Sequence, residues 1–438
     1  MNGEFRLIGL IGVLKKTRQI LFLLVFMFLF FLPQFPVFAQ SNPGVVDGRW
    51  GNHLTLKVAL IGPGDELYFW WGHIGLVVED NRTGQVRFYD WGVFSFDQEN
   101  FFVNFALGRL IYSCAVTWAD TYYDHYILTN RSITLYTLDL PAEKKEAIIL
   151  TAENNILPEN RDYFYHHFDD NCATRIRDII DIALDGQFRA MFGEMPGRFT
   201  LRQHVRRHTW FNPFIDWILN FWMGPVIDKP ITVWEEMFLP SEIAKRIQDF
   251  RYTDQFGRER YLVSSVETVF NAEGRPAVRN VPVNPWPGAL LVSLLFCELI
   301  LIFYLLWGRR KGFRVFLGTV NSLLGVLFGI AGSMLFFLMF FTDHDYTYSN
   351  INIVFINPLL LAAIPLGLTL AFTKNTGKRF FAMRFLRVLW AYVFIGCVFT
   401  IAIRFSPAFF QQNQVTQGLI IPIALTMVFL MSKLKSKH

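Results

Sequence analysis

Two residues a hundred positions apart have the types and settings for nucleophilic chemistry. The first is Cys172, in the run His166-His167-Phe168-Asp169-Asp170-Asn171-Cys172-Ala173-Thr174-Arg175. Asp169, Asp170 or Asn171 can cap a helix that begins near Cys172. At 100° per residue, Cys172, Ile176, Ile179, Ile180 and Ala183 share one face, and Asp178 and Asp181 lie on the other. The thiol therefore sits in the first turn and points into the domain. The positive end of the helix dipole favours thiolate there. Backbone N–H groups of the first turn, that of Cys172 and a neighbour's, are available for an oxyanion. The plainer alternative is a small buried core residue.

The second is His73, in Trp71-Gly72-His73-Ile74-Gly75-Leu76-Val77-Val78. Alternation of Ile74, Leu76 and Val78 predicts a strand with one packed face and His73 on the other. Gly75, next but one, is expected to leave room for the imidazole. His73 can take the proton of Cys172 and return it to a leaving group. A lone strand histidine is more often structural, and pairing with a helix-start cysteine lowers that prior.

Such a pair needs a third group to orient the imidazole. Asp90 is the first choice, because a strand at about Val86 to Trp91 follows the Asn81-Arg82-Thr83-Gly84 turn and should pair with the His73 strand. Tyr89 then lies on the opposite face. Glu79, Asp65 and Glu66 are weaker candidates, better read as solvated loop acids.

Other clusters carry less. His204 and His208 are spaced i,i+4 as two metal ligands would be, but no third ligand accompanies them, and no metal or cofactor is assigned. Arg198, Arg202, Arg206 and Arg207 could meet lipid phosphates. The stretch Trp210 to Met223 is apolar, aromatic and too short to span a bilayer; it suits the membrane interface or a buried helix equally. Cys114 reads as a strand residue that stays free.

These residues must be positioned by a chain of 438 residues, 53% hydrophobic, with 47 Phe and only 18% charged. That excludes a disordered protein and an ordinary soluble one. Three segments explain the composition. Residues 1–39 have the basic, apolar and small-residue order of a secretory signal peptide. Residues 40–285 have ordinary globular composition. Residues 286–438 hold five predicted membrane helices, near 288–307, 315–341, 353–372, 386–403 and 416–432. Pro358 and Pro365 predict a kinked third helix.

The net charge of +5 divides unevenly. The exported segment is acidic; the positive charge lies in the signal and in alternate loops of the membrane region. Those loops carry Arg309, Arg310, Lys311, Arg314, Lys374, Lys378, Arg379, Arg384 and Arg387, and the tail adds Lys433, Lys435 and Lys437. The opposite loops hold Arg404, with Asp343 and Asp345. By the positive-inside rule the tail is cytoplasmic and residues 40–285 are outside, in agreement with the signal peptide. A nucleic-acid partner has no support.

A strand histidine that precedes a helix cysteine reverses the papain order. It resembles the permuted NlpC/P60 papain-like superfamily, which includes lecithin:retinol acyltransferase-like (LRAT-like) enzymes. Four stretches are more specifically similar to the DUF4105 family, the Lnb N-terminal periplasmic domain: Pro63–Tyr68 running into Trp71-Gly72-His73, Tyr89-Asp90-Trp91-Gly92, Asn171–Asp178, and Trp234–Pro240. The resemblance implies an α+β permuted papain-like exported domain followed by an all-α bundle of about five transmembrane helices. It implies Cys172, His73 and Asp90 as the catalytic group, with Asn171, Tyr89, Glu66 and Arg175 as substrate, oxyanion or structural support. Family members often carry Asn at the Asp90 position and Ser at that of Ala173.

The activity implied is that of a Bacteroides-type lipoprotein N-acyltransferase in the bacterial inner membrane. An acyl chain passes from a phospholipid donor, through a cysteine thioester, to the α-amine of a diacylglyceryl lipoprotein acceptor. Two other readings keep the fold: a membrane-tethered periplasmic thiol peptidase or amidase, and a degenerate non-enzyme assembly protein.

Overall fold

The computed structural model describes residues 50–94 and 100–434. The signal-peptide expectation lies outside the described residues, as do Lys435 and Lys437.

The first half is a mixed α/β domain around an antiparallel sheet. Its strands are β1 (Leu54–Ile61), β2 (His73–Asp80), β3 (Gln85–Val93), β4 (Ile111–Trp118), β5 (Ile133–Leu138), β6 (Asp162–Phe164) and β9 (Val263–Phe270). They run in the order β6-β4-β3-β2-β1-β5-β9, and the hairpin β7 (Arg251–Thr253) and β8 (Glu259–Tyr261) stands apart. The helices are α1 (Phe101–Leu107), α2 (Ala119–Leu128), α3 (Ala142–Asn155), α4 (Cys172–Ala183), α5 (Gln187–Phe192), α6 (Leu201–Thr209), α7 (Pro213–Trp222), α8 (Val233–Glu236) and α9 (Pro240–Asp249).

Period-two alternation divides the sheet into two dry faces. Leu56, Val58, Ile74, Leu76, Val78, Tyr89 and Trp91 face α3, α4 and α9 through Ile148, Ile176, Ile180 and Ile243. Ala59, Ile61, Val77 and Phe88 face Ala119 and Tyr126 of α2. The histidine strand and the cysteine helix are thus brought together by the larger of the two cores.

Five helical segments long and apolar enough to cross a membrane follow: α10 (Trp286–Trp307), α11 (Lys311–Phe341), a composite third span over Ile351–Phe372, α13 (Thr376–Ile403) and α14 (Gln414–Lys433). In the third, 3₁₀ turns at Ile351–Val354 and Pro358–Ala362 precede α12 (Ala363–Phe372). Pro358 opens the second of those turns and Pro365 lies in the first turn of α12, so the span is segmented rather than simply bent.

The α/β domain sits on two loops of this bundle. Asp343 accepts from Arg109 at 2.8 Å, Tyr346 Oη donates to Asp169 at 2.7 Å, and His166 Nε2 lies 3.1 Å from Asp345 Oδ1. Gln412 N–H donates to Asp228 at 3.1 Å, and Asn350 Nδ2 donates to the Phe221 carbonyl at 2.8 Å. These are the loops that the charge pattern places opposite the basic ones.

The aromatic stretch packs in part as a buried helix. Trp217 and Phe221 of α7 are buried in the membrane-bundle core, with Trp217 Nε1 donating to Thr416 Oγ1 at 3.2 Å, while Phe214 is exposed.

Candidate active site

Cys172 is the first residue of α4, and Asn171 is its cap. Asn171 Oδ1 accepts from the N–H of Ala173 at 2.8 Å and of Thr174 at 3.0 Å. The Thr174 hydroxyl accepts in return from Asn171 N–H at 2.8 Å, which completes a capping box. Asn171 Nδ2 donates to the carbonyls of His167 and Phe238, at 2.8 and 3.1 Å, so the cap also fixes α4 against the loop before it and the turn after α8.

This arrangement corrects one expectation. The neighbouring N–H groups of the first turn are spent on Asn171 and do not await an oxyanion. Cys172 N–H is the donor of that turn that remains without a partner among the described residues.

His73 opens β2 on the face opposite Ile74, as expected. Its Nε2 lies 2.8 Å from Asp90 Oδ1, and neither atom makes a straight hydrogen bond among the described residues. The contact is a close, bent ion pair. The imidazole also lies within range of the Cys172 charge. Burial alone would lower the pKa of His73, but the charges of Asp90 and Cys172 outweigh it and raise the pKa to about 10.

Gly92 is where the three side chains converge. A Cβ there would stand 3.3 Å from His73 Cε1, 3.6 Å from Asp90 Oδ1 and 3.9 Å from Cys172 Cβ. The β3–β4 register slips between Trp91 and Val93, which turns the end of β3 towards the cysteine helix. Gly75 does not serve this purpose, contrary to expectation. A Cβ at Gly75 would strike the Phe88 ring at 2.3 Å, so its missing side chain makes room for core packing.

Asp90 is held from behind. Tyr122 Oη, on α2, donates to Asp90 Oδ2 at 2.9 Å, and the Tyr122 ring stacks on Phe88 at 4.6 Å. No local pattern points to Tyr122; a buried aspartate with one oxygen committed to histidine does imply some donor for the other.

The remaining candidates have structural partners. Tyr89 lies in the core and donates to Glu153 on α3. Arg175 grips Asp170 with Nε and Nη2, at 2.5 and 2.6 Å, and covers the Tyr163 ring, bracing the loop before Cys172. The Glu66 carbonyl closes a 3₁₀ turn, and its carboxylate helps to raise the pKa of Tyr68, after burial, to about 12. Asp65 pairs with Arg275 and Glu79 with Lys57. Cys114 is buried and free, and burial pushes its thiol up.

His204 and His208 do not converge on a shared point. His204 Nε2 lies 3.0 Å from Glu236, Arg207 reaches His204 Nδ1 at 2.8 Å, and His208 Nδ1 meets the His204 carbonyl. Arg198 pairs with Glu242, Arg202 with Asp228, and Arg207 also with Glu242. Three of the four arginines proposed for lipid phosphates are therefore spent within the domain.

A buried Cys–His–Asp group on an α/β domain, seated on five membrane-length helices, defines a multi-pass membrane protein with a candidate thiol site beside the bundle. Residues 51–207 match the Lnb N-terminal periplasmic domain and residues 283–437 match the Lnb transmembrane domain. The chain belongs to the Lnb family. No curated protein and no solved structure matches it.

Proposed function

We propose that the protein is an N-acyltransferase that moves a fatty acyl chain from a phospholipid to the α-amine of a diacylglyceryl-cysteine lipoprotein, with Cys172 as nucleophile. The observation that carries this reading is the Cys172–His73–Asp90 group, in a domain bonded to the outer loops of a membrane bundle. Family membership supports it.

Cys172 Sγ attacks the ester carbonyl of the donor. The oxyanion meets Cys172 N–H, a donor worth about 10²–10³ in rate when well placed. Asp90 occupies Nε2 of His73, so proton exchange runs through Nδ1. The imidazolium passes its proton to the departing lysophospholipid oxygen as the C–O bond breaks, leaving a thioester. The lipoprotein amine then attacks the thioester carbonyl and gives its proton to His73. Sγ leaves as thiolate and an amide remains. A site opening at the lipid surface keeps water, the competing acceptor, scarce.

The test is trapping of the first half-reaction. Full-length protein in phospholipid vesicles without acceptor should gain the mass of one acyl chain, located on Cys172 and released by neutral hydroxylamine. Cys172→Ala should gain none. A wild-type protein that never carries acyl mass overturns the proposal.

A further inference from the structure

We propose that α1 lies in the bilayer leaflet facing the α/β domain and that the aromatic row behind it conducts the donor's acyl chain to Cys172. The proposal rests on the acyltransferase reading for its purpose, but not for its geometry.

The row is continuous. Its inner end reaches the thiol through β3: Phe94 is two residues beyond Gly92, where a Cβ would stand 3.9 Å from Cys172 Cβ, and β3 pairs with β4, which carries Tyr112. Tyr165 stacks on Tyr112 at 4.1 Å, and Tyr112 meets Phe94 at 4.9 Å. Phe94 stacks on Phe101 of α1 at 6.1 Å, and Phe101 on Phe105 at 6.1 Å. Rings packed in this way give an apolar wall with few polar interruptions, suited to a hydrocarbon chain and poor for peptide or sugar.

Its outer end is exposed and apolar. Val103 is 57% and Phe105 44% exposed on a helix whose sequence is Phe-Phe-Val-Asn-Phe-Ala-Leu. In water such a face would be unfavourable. The anchoring of α1 identifies what covers it. The Leu107 carbonyl accepts from Asp343 N–H at 2.7 Å, and His344 Nε2 reaches the Phe105 carbonyl at 3.1 Å. Asp343 lies two residues beyond Phe341, the last residue of α11, and Phe340 and Phe341 are themselves exposed. The apolar face of α1 is thus continuous with the lipid-facing end of a membrane span, so acyl chains are its occupant. Asp343, Arg109 and the His166–Asp345 contact form a polar rim on the same loop.

Position and purpose can be tested separately. In a Cys172→Ala background, Val103→Cys is labelled with an environment-sensitive nitrobenzoxadiazole dye; the other native cysteines are buried. The protein is reconstituted in phosphatidylcholine vesicles with a nitroxide on the acyl chain. Blue-shifted emission and strong quenching are expected, against water-like emission from Ser264→Cys on the exposed edge strand. Water-like, unquenched emission at position 103 overturns the proposal. Phe105→Glu, with Cys172 intact, should slow acyl-thioester formation at least tenfold while leaving iodoacetamide alkylation of Cys172 unchanged. Unimpaired acylation by that variant overturns the chain-conducting role. A wild-type protein that forms no thioester, with the dye still quenched by lipid, sinks the acyltransferase reading and leaves α1 in the membrane.

Discussion

Tyr122 donates a 2.9 Å hydrogen bond to Asp90 Oδ2, on the side of the carboxylate away from His73. Helix α2 and the β2–β3 strand pair are thereby mechanically coupled through one carboxylate. Tyr122→Phe removes only this donor. A buried acceptor left unpaired costs about 1–3 kcal/mol. Part of that should appear as a five- to tenfold loss in transfer rate with unchanged substrate affinity. A loss confined to thermal stability would make Tyr122 a packing residue only.

Asp90→Asn should keep the shape of the site and change its titration. Burial depresses the pKa of His73, and the charges of Asp90 and Cys172 raise it to about 10. Removing one raising charge lowers that pKa, so the alkaline limb of the rate–pH profile should move towards neutrality. Because the folded pKa lies above the ordinary 6.5, the stabilisation from His73 is full below about 6.5 and is lost as pH rises through about 10. The melting-temperature gap between wild type and His73→Gln in detergent should therefore shrink across that window. A gap that widens with pH would contradict the charge assignment.

Two glycine substitutions should behave oppositely. Gly92→Ala sets a methyl 3.3 Å from His73 Cε1 and should cost at least tenfold in rate with little change in melting temperature. Gly75→Ala drives a methyl into the Phe88 ring at 2.3 Å and should lower stability by about 1–3 kcal/mol. Activity and melting curves of both variants check the assignment. A Gly92→Ala protein of full activity would mean that the imidazole has more freedom than the contacts allow.

Asn171→Ala removes the cap of α4 and should destabilise the protein by about 1–2 kcal/mol. Asn171→Asp keeps the acceptor for Ala173 and Thr174 but loses the donors to His167 and Phe238. It should recover the helix cap without recovering activity, because the loop before Cys172 is released. Thermal melts with alkylation rates of Cys172 distinguish the two effects.

The juxtaposition of Cys172, His73 and Asp90 was legible because each sits on a strong local signal: a capped helix start, an alternating strand and a turn-linked second strand. The membrane spans were legible from hydropathy, although the starts of α11 and α13 lie several residues earlier than hydropathy alone suggested, in basic turns that helix geometry tolerates. What failed depended on tertiary detail. Gly75 and Gly92 differ only through sheet face and the slip after Trp91. Tyr122 reaches Asp90 from a helix packed behind the sheet. The arginines of α6 read as contacts for lipid phosphates, yet Asp228 pairs with Arg202 and Glu242 with Arg207 inside the domain.

The most direct measurement of the central claim is the intact mass of a reporter diacylglyceryl lipopeptide after incubation with phospholipid vesicles and the full-length protein. The account predicts a gain of one acyl chain on the α-amine, present with wild type and absent with Cys172→Ala. A reporter whose mass is unchanged, is reduced by peptide cleavage, or rises equally with Cys172→Ala would contradict it.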